Sequence, residues 1–467
     1  MKSLSKSEVQ IKERPVKILQ FGNGNFLRGF TDFMIEEANE KGVFDGNIQV
    51  VQVHSQIADP KMIQQDCLFH VLIRGLKDGK RIDEAKLITS ISGISNPNED
   101  YQSYLKLGEN PDLRFIISNT TESGIQFDPT DIDPNRLPDS FPAKVAALLF
   151  HRFQHFNGDP SKGLIFIPCE LIENNGGSLK DCIDRYATLW KLPYSFTEWL
   201  YSSCIFCNTL VDRIVPGYPK DSIDEIQKKI GFEDKLAVMA EPFHLWVIEG
   251  PDLVKEEFPL NLAGLDVKFV KDLTPFRTRK VRILNGGHTS MVPYAYLMGI
   301  RTVREAVEDE LIGNFMREVI FDEIIPSLDM PEEELIQFAK DVLERFANPF
   351  IHHELISIAL NSISKFKVRV LPSLLEYKHK KGTWPPLLVK SLAALLVFYK
   401  GEFKGKNIPL KDDPKILENF KDAWQLSSVE ETVDQLLSTS EYWGKDLSKL
   451  DGLSELVAKE AKIILAL

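Results

Sequence analysis

Short apolar runs alternate with longer amphipathic stretches in the first half of the chain. Four short runs are rich in apolar and β-branched residues, as strands are: Val16–Phe21, Ile48–Val53, Leu113–Ser118 and Gly163–Pro168. Helix-length stretches such as Phe30–Lys41 and Ala143–Phe156 separate them. This alternation is typical of βαβ units, so we predict an α/β fold with a Rossmann-like N-terminal domain and a mainly parallel sheet. Residues 80–94 predict further irregular or β structure inserted into that sheet.

The pattern changes near residue 275, where strand-like runs become rare. Pro259, Gly264 and Pro275 interrupt the periodicity there and indicate a domain boundary. Long segments with helical amphipathic spacing then follow: Val303–Ile320, Pro331–Phe346, Leu355–Lys365, Pro386–Tyr399, Val429–Leu437 and Leu453–Leu465. We therefore predict a mostly α-helical C-terminal domain, with the domains at residues 1–272 and 273–467.

Composition narrows the class of protein. The 467 residues carry a net charge of −12, so no basic excess is available for nucleic acid or an anionic membrane. The first residues lack the apolar core of a signal peptide, and the most apolar stretch is interrupted by Lys390. The five cysteines include one CxxC pair, Cys204 and Cys207, without the second pair that a zinc site needs. We expect structural thiols, no bound metal and a reducing cytoplasm.

A glycine-rich turn follows the first strand. It comprises six residues that we assign to cofactor binding: Phe21, Gly22, Asn23, Gly24, Asn25 and Phe26. A GxG turn between strand and helix lets main-chain N–H groups approach a pyrophosphate. The third glycine of the usual fingerprint comes two residues late, at Gly29, and an ordinary βα turn is the alternative. Residues 51–55 contain neither a carboxylate nor an arginine, so NAD and NADP both remain open at this point.

A second candidate for the cofactor site directly follows the third strand. Ser118, Asn119 and Thr120 are small polar residues at the strand end, where ligands bind in open α/β sheets. We assign them to the nicotinamide side. The alternative is a turn in which these side chains bond to their own backbone.

The residues suited to proton transfer occur between Lys280 and His288. On an α-helix, Asn285 and His288 would lie within about 140° of Lys280 around the axis, so all three can face one cleft. Reduction of a ketone needs a group that protonates or polarises the developing alkoxide. Lys280 can supply the proton and Asn285 can hold the oxyanion. The alternatives are a solvated lysine and a structural histidine.

Two further segments fit the same chemistry. Asn175 precedes a glycine pair and is either a second oxyanion donor or a turn residue. Asp212 and Arg213 place a carboxylate beside a guanidinium, for which a structural ion pair is the favoured interpretation.

Together these segments resemble the polyol-specific long-chain dehydrogenase/reductase family, which includes the mannitol dehydrogenases. The matching motifs are Phe21-Gly-Asn-Gly-Asn-Phe26, Asn175-Gly176, Val211-Asp-Arg-Ile214 and Lys280-x-Arg-x-Leu-Asn-x-x-His288. The resemblance implies a dinucleotide-binding N-terminal domain, a C-terminal substrate and catalytic domain, an active site between them and NAD as the cofactor.

The resemblance also implies residue roles in a metal-independent reaction. Lys280 is then the acid/base, Asn175 and Asn285 hold the oxyanion, and His288 positions a substrate hydroxyl and supports the lysine. Lys365 matches a position that contacts the substrate, and Asp212 is assigned to the substrate as well.

Departures from the mannitol dehydrogenases point away from a simple polyol. Ser357 stands where they carry an arginine, and Cys169-Glu-Leu171 replaces Cys-Asp-Asn. A hexuronate would need a cation, which Lys365, Lys367 or Arg369 can supply, and arginine fits a carboxylate best. Within that family the resemblance is strongest to members that act on keto-uronates, and it implies reversible, NAD-dependent reduction of D-tagaturonate to D-altronate in hexuronate catabolism. D-fructuronate as the substrate and a non-catalytic NAD-binding regulator are the alternatives, and the oligomeric state is left open.

Overall fold

The fold is taken from a computed structural model that describes residues 1–53, 55–121 and 123–467. His54 and Glu122, which belong to two stretches considered above, lie outside the described residues. The chain divides into two compact units, Met1–Leu273 and Thr274–Leu467.

A parallel sheet forms the centre of the N-terminal unit. The strands of this unit, in chain order, are β1 (Lys2–Ser3), β2 (Val16–Phe21), β3 (Asn47–Val51), β4 (Phe69–Lys77), β5 (Lys80–Ile88), β6 (Ile91–Ser95), β7 (Phe115–Ser118), β8 (Ile165–Pro168), β9 (Ile205–Phe206), β10 (Asn208–Asp212), β11 (Phe232–Glu233), β12 (Val238–Ala240), β13 (Leu245–Glu249) and β14 (Val267–Val270). Six of them pair in the order β6-β3-β2-β7-β8-β9, and every pairing is parallel. The predicted α/β fold class is therefore confirmed, and all four predicted strands lie in this sheet.

The sheet is buried on both faces, as parallel sheets usually are. Ile18, Ile48 and Ile117 point into one apolar cluster, whereas Leu19 and Ile116 point into the other. Helices cover both faces of the sheet. The helices of this unit are α1 (Asn25–Leu27), α2 (Phe33–Glu40), α3 (Pro60–Gln64), α4 (Tyr101–Lys106), α5 (Phe141–His155), α6 (Asn175–Leu189), α7 (Tyr194–Ser203), α8 (Ile223–Ile230) and α9 (Asp252–Glu257). This two-sided burial explains why apolar residues occur on both faces of the strands.

Smaller sheets flank the main one. The hairpin β4–β5 is extended by β12, and β10 pairs with β13, which pairs with β14. The inserted structure predicted at residues 80–94 consists of β5 in the first of these sheets and part of β6 at the edge of the main sheet.

The C-terminal unit is mostly helical. Its helices are α10 (Thr274–Arg279), α11 (Gly286–Leu297), α12 (Val303–Glu308), α13 (Glu310–Glu318), α14 (Ile325–Ser327), α15 (Glu332–Phe346), α16 (Leu355–Ile358), α17 (Ser362–Arg369), α18 (Leu371–Lys381), α19 (Pro386–Phe398), α20 (Pro414–Ala423), α21 (Val429–Ser438), α22 (Ser440–Trp443) and α23 (Leu453–Ala466). A short hairpin of β15 (Glu402–Phe403) and β16 (Lys406–Asn407) completes the unit. Across the described chain, none of the helices has the length and apolar character required to cross a membrane.

Three π-helical turns interrupt the helices, at Arg28–Asp32, Lys280–Asn285 and Val319–Ile324. The second one corrects the α-helical geometry expected for Lys280 to His288. A π-turn closes i→i+5 hydrogen bonds, so its residues are spaced differently around the axis than on an α-helix. The α-helical angle between Lys280 and Asn285 therefore does not apply, and α-helix resumes only at Gly286.

Candidate active site

The predicted nucleotide turn joins β2 to the helix that starts at Asn25. Gly22 has φ +119° and donates its N–H to the Val51 carbonyl at 2.9 Å, which fixes the turn against the neighbouring strand. A side chain at Gly22 would be strained, because this backbone conformation strongly favours glycine. Gly24 is exposed, and a Cβ at that position would have no atom within 4 Å. The turn thus leaves open space directly before a helix N-terminus.

The late third glycine is explained by packing. A Cβ on Gly29 would lie 2.8 Å from a methyl carbon of Val215, so a larger residue would push the helix away from residues 213–215. Leu27, which occupies the usual third-glycine position, is buried. Close approach of helix and neighbouring backbone is the purpose of that glycine in dinucleotide-binding turns. The open space at Gly24 and the close packing at Gly29 therefore fit a bound dinucleotide.

The other residues assigned to this turn differ in what their side chains do. Phe21 is fully buried among aromatic rings, so only its main chain can face a ligand. Phe26 stacks on Phe30 with ring centroids 4.9 Å apart. Asn25 accepts a hydrogen bond from Arg28 at 2.8 Å and is exposed, whereas Asn23 is half-buried.

The Ser118–Thr120 loop is held by a residue that the sequence analysis did not assign to the site, Glu170. Its carboxylate accepts hydrogen bonds from Ser118 Oγ (3.0 Å), Thr120 N (2.9 Å) and Thr120 Oγ1 (3.0 Å). Asn119 donates its side-chain amide to the Cys169 carbonyl at 2.6 Å and its main-chain N–H to the Phe21 carbonyl at 3.3 Å. The Ser118–Thr120 loop and the predicted nucleotide turn are therefore connected at one edge of the sheet.

Asn175 begins α6 and its side chain is almost completely buried, at 1 % exposure. Its amide nitrogen lies within 3.4 Å of four oxygens, namely the carbonyls of Pro168, Glu170 and Thr209 and the Thr209 hydroxyl. Its oxygen accepts from Thr209 N at 2.9 Å and from Gly176 N at 3.0 Å. The side chain thus joins the ends of β8 and β10, and donation to a substrate would have to replace one of these bonds.

Arg213 does not serve as the ion-pair partner expected beside Asp212. Its guanidinium donates to the Glu241 carbonyl at 2.8 Å and to the Gly29 carbonyl at 2.7 Å. Burial lowers the pKa of Arg213 to about 9. The residue therefore anchors the helix that follows the nucleotide turn, and Asp212 is buried at the end of β10 in the same unit.

The Lys280–His288 cluster belongs to the C-terminal unit. Lys280 begins the π-turn and Asn285 ends it, and both are half-buried. Among the described residues, the Asn285 side chain has no hydrogen-bond partner, and neither does the buried Nη1 of Arg282. Buried or half-buried polar groups are normally satisfied, so this turn presents groups suited to a ligand.

His288 is buried against an aromatic ring. It stacks on Phe346 with centroids 3.9 Å apart, and its Nε2 has no hydrogen-bond partner in the described part of the chain. Burial lowers its pKa well below the ordinary histidine value, and nearby His353, Arg345 and Arg369 add to the effect. His288 is therefore neutral at physiological pH and can exchange a hydrogen bond with a ligand hydroxyl.

The substrate candidates Lys365 and Arg369 lie one turn apart on α17. A Cβ at Gly286 would be 3.0 Å from the Arg369 carbonyl oxygen, so the glycine allows α17 to pack against the start of α11. Arg369 Nη1 also lies 3.5 Å from Thr289 Oγ1, and Lys365 donates to the Ile358 carbonyl at 2.9 Å. Burial lowers the pKa of both cations, and the charge of Arg369 contributes to the shift of Lys365.

The structure therefore groups the predicted site residues in two sets. Asn175, Asp212 and the cofactor candidates belong to the N-terminal unit, and the remaining candidates belong to the C-terminal unit: Lys280, Asn285, His288, Lys365 and Arg369. Cys204 and Cys207 are buried thiols whose pKa burial raises to about 12. No group of three or more metal-binding side chains occurs among the residues that the structure describes.

Comparison with known proteins identifies relatives over the whole chain. Residues 16–262 match the mannitol dehydrogenase Rossmann domain, and residues 272–465 match the mannitol dehydrogenase C-terminal domain. An altronate oxidoreductase of Bacillus subtilis is 49 % identical over 95 % of this chain and 92 % of its own length. An altronate oxidoreductase of Yersinia pestis is 42 % identical over 100 % of this chain and 98 % of its own.

Solved structures share the fold. D-sorbitol dehydrogenase in substrate-free form has a TM-score of 0.83 at 22 % identity, covering 99 % of this chain and 98 % of that chain. Mannitol 2-dehydrogenase of Pseudomonas fluorescens, solved with NAD and D-mannitol, has a TM-score of 0.66 at 20 % identity, covering 99 % and 96 %.

These matches bear out the predicted family and, through it, an oxidoreductase that acts on CH–OH groups. The two domain matches together span most of the sequence, in the same order as the two units of the fold. The chain belongs to the mannitol dehydrogenase family.

Proposed function

We propose that this protein reduces D-tagaturonate to D-altronate reversibly with NADH, within hexuronate catabolism. The observation that carries the proposal is the 49 % identity to a Bacillus subtilis altronate oxidoreductase over 95 % of this chain. The cations of α17 agree with a substrate that carries a carboxylate, because charge-assisted hydrogen bonds to a carboxylate are stronger than those to the neutral hydroxyls of a simple polyol.

The chemical step needs few groups. The turn at Gly22–Asn25 and the Ser118–Thr120 loop would hold NADH, which when bound would supply the hydride that reduces the keto carbon. Lys280 gives a proton to the developing alkoxide and takes it back in the reverse reaction. Asn285 donates a hydrogen bond to the same oxygen, and its amide has no competing partner among the described residues.

His288 positions the substrate. A neutral imidazole buried against Phe346 can accept or donate a hydrogen bond to a substrate hydroxyl without adding charge to the site. We retain Asn175 as a predicted second oxyanion donor and Asp212 as a predicted substrate contact. The hydrogen bonds of Asn175 give that residue a structural function in addition.

In this proposal Arg369 binds the substrate carboxylate, and Lys365 contributes a second positive charge nearby. Arginine presents paired donors that match the two carboxylate oxygens, whereas lysine offers a point charge. The backbone contact at Gly286 fixes Arg369 relative to Asn285 and His288.

The proposal is tested by following NADH oxidation at 340 nm with D-tagaturonate, D-fructuronate and D-fructose in separate assays. We expect the highest kcat/KM with D-tagaturonate. A preference for D-fructuronate would keep the residue roles and change the substrate by one stereocentre. NADH binding without oxidation of NADH by any of the three would favour a non-catalytic regulator.

Metal independence is a separate prediction. Lys280 takes the place of a Lewis acid in the proposed step, so dialysis against EDTA should leave the rate unchanged. Loss of activity that one divalent cation restores would contradict the role given to Lys280.

A further inference from the structure

Glu170 is a buried carboxylate at the carboxyl end of a central strand. It follows β8 by two residues, is 3 % exposed, and bonds to Ser118 and Thr120 at the end of the neighbouring strand β7. Its main-chain carbonyl accepts from the Asn175 amide at 3.1 Å. Glu170 therefore lies between two segments that were assigned to the site separately.

The hydrogen-bond donors around this carboxylate are neutral. They are two hydroxyls and one main-chain N–H, and no lysine, arginine or histidine of the described residues forms an ion pair with Glu170. Burial raises the pKa of Glu170, and the hydrogen bonds from Thr120 and Ser118 oppose that shift. The donors thus stabilise a negative charge that no cation of the described chain neutralises.

The position of Glu170 in the sheet indicates which part of a dinucleotide it would face. The strand order β6-β3-β2-β7-β8-β9 reverses between β2 and β7, which is where dinucleotides lie in such sheets. The glycine turn after β2 holds the pyrophosphate. The ends of β7 and β8 then belong to the nicotinamide half.

We infer that Glu170 makes the site favour the oxidised cofactor, because its carboxylate stabilises the positive charge of the NAD⁺ pyridinium ring. NADH has a neutral ring and gains nothing from this charge. Glu170 is thereby a specificity-determining residue for the oxidation state of the cofactor. The inference rests on the proposed function, since it requires nicotinamide at this edge of the sheet.

A purely structural role predicts a different result. If Glu170 only held the Ser118–Thr120 loop, its loss would weaken NAD⁺ and NADH binding by the same factor. A charge effect changes the ratio of the two dissociation constants. This ratio separates the two explanations without any measurement of turnover.

The experiment is isothermal titration of NAD⁺ and NADH into the purified full chain and into Glu170→Gln. Glutamine keeps the length and can still accept from Thr120. We expect Kd(NAD⁺)/Kd(NADH) to rise about three- to tenfold in the variant, as expected for one charge acting over several ångströms in a partly buried site. Glu198→Gln, at an exposed carboxylate of α7, is the matched control, since it removes one negative charge outside the site, and its ratio should equal that of the unmodified protein.

A second pair of Glu170 variants allows the inference to be tested even if Glu170→Gln folds poorly. Glu170→Asp and Glu170→Asn have equal length and differ in charge, so the ratio should be higher in the asparagine variant. An unchanged ratio in both comparisons, or an equal loss of both affinities, would overturn the inference. Failure of the unmodified chain to bind either nucleotide would instead contradict the proposed function.

Discussion

The segment around Asn175 and the segment from Lys280 to His288 differ in how their polar groups are used within the chain. Both Asn175 amide atoms are bonded to the ends of neighbouring strands. At the π-turn, Asn285 and the Nε2 of His288 have no partner among the described residues. Two asparagines with the same predicted role thus occupy opposite environments, one completing the scaffold and the other available to a ligand.

Replacing the proposed proton donor, Lys280, should have the largest effect on catalysis among the changes that test this comparison of the two segments. Lys280→Met should lower kcat by about 10²- to 10⁴-fold, the usual contribution of a positioned acid or base, while Kd for NADH stays constant. Stopped-flow hydride transfer and NADH titration measure the two quantities. Lys268→Met, at a half-buried lysine of β14 that pairs with Asp266, is the control and should leave both quantities unchanged. Full activity in the Lys280 variant would remove this residue from the reaction.

The two asparagines should respond in opposite ways to the same change. Asn285→Ala should lower kcat by about 10²- to 10³-fold, as loss of an oxyanion donor does, with little change in Tm. Asn175→Ala should lower Tm by about 5–10 °C, because buried main-chain groups of Thr209 and Gly176 lose their partner. Kinetics and thermal unfolding on both variants provide the check. A stable Asn175→Ala protein that lost only kcat would eliminate the distinction between the two sites.

A smaller effect is expected at the carboxylate site. Arg369→Lys should raise KM for the keto-uronate about tenfold, because one of two paired charged hydrogen bonds is lost, with kcat nearly unchanged. Arg304→Lys, at an exposed arginine that pairs with Glu308, is the matched control. Equal KM values for the Arg369 variant and the control would show that another cation binds the carboxylate.

The smallest effect concerns pH. The pKa of His288 is lowered in the folded protein, so the unfolded chain binds this proton more readily. The associated stability is complete above the ordinary histidine pKa and is lost as pH falls below about 6.5, by up to about 1.4 kcal/mol per pH unit. Thermal unfolding at pH 7.5, 6.5 and 5.5 should show a weaker decline for His288→Gln than for the unmodified protein. Parallel curves would contradict the neutral, buried assignment of this imidazole.

Much of the fold could be predicted from the sequence because burial on both faces leaves a direct signature. The strand Val16–Phe21 is found with its predicted bounds, since an apolar run followed by a glycine turn fixes both ends. The third and fourth predicted strands begin two residues later than expected, at Phe115 and Ile165. Local patterns carry this information, so the sequence was sufficient.

The site was less accessible to sequence reasoning, because its bonds join distant segments. Glu170 and Arg213 act on residues 50 and 184 positions away, and two of the bonds of Arg213 go to main-chain carbonyls that have no sequence signature. The π-turn at Lys280–Asn285 was missed because its six residues are too few for an apolar pattern to distinguish i→i+5 from i→i+4 hydrogen bonds. The glycines alone gave a usable signal, since Gly29 marks close packing against the Val215 side chain and Gly286 marks a close approach of the Arg369 backbone.

The contact at Gly286 has a consequence for substrate choice. Because the Arg369 carbonyl would lie 3.0 Å from a Cβ at Gly286, Arg369 and Asn285, which we propose bind the carboxylate and the oxyanion, are held at a set spacing within one unit. This fixed spacing would match only one number of carbons between the keto group and the carboxylate. Sugar acids one carbon shorter or longer would therefore bind poorly, whatever their stereochemistry.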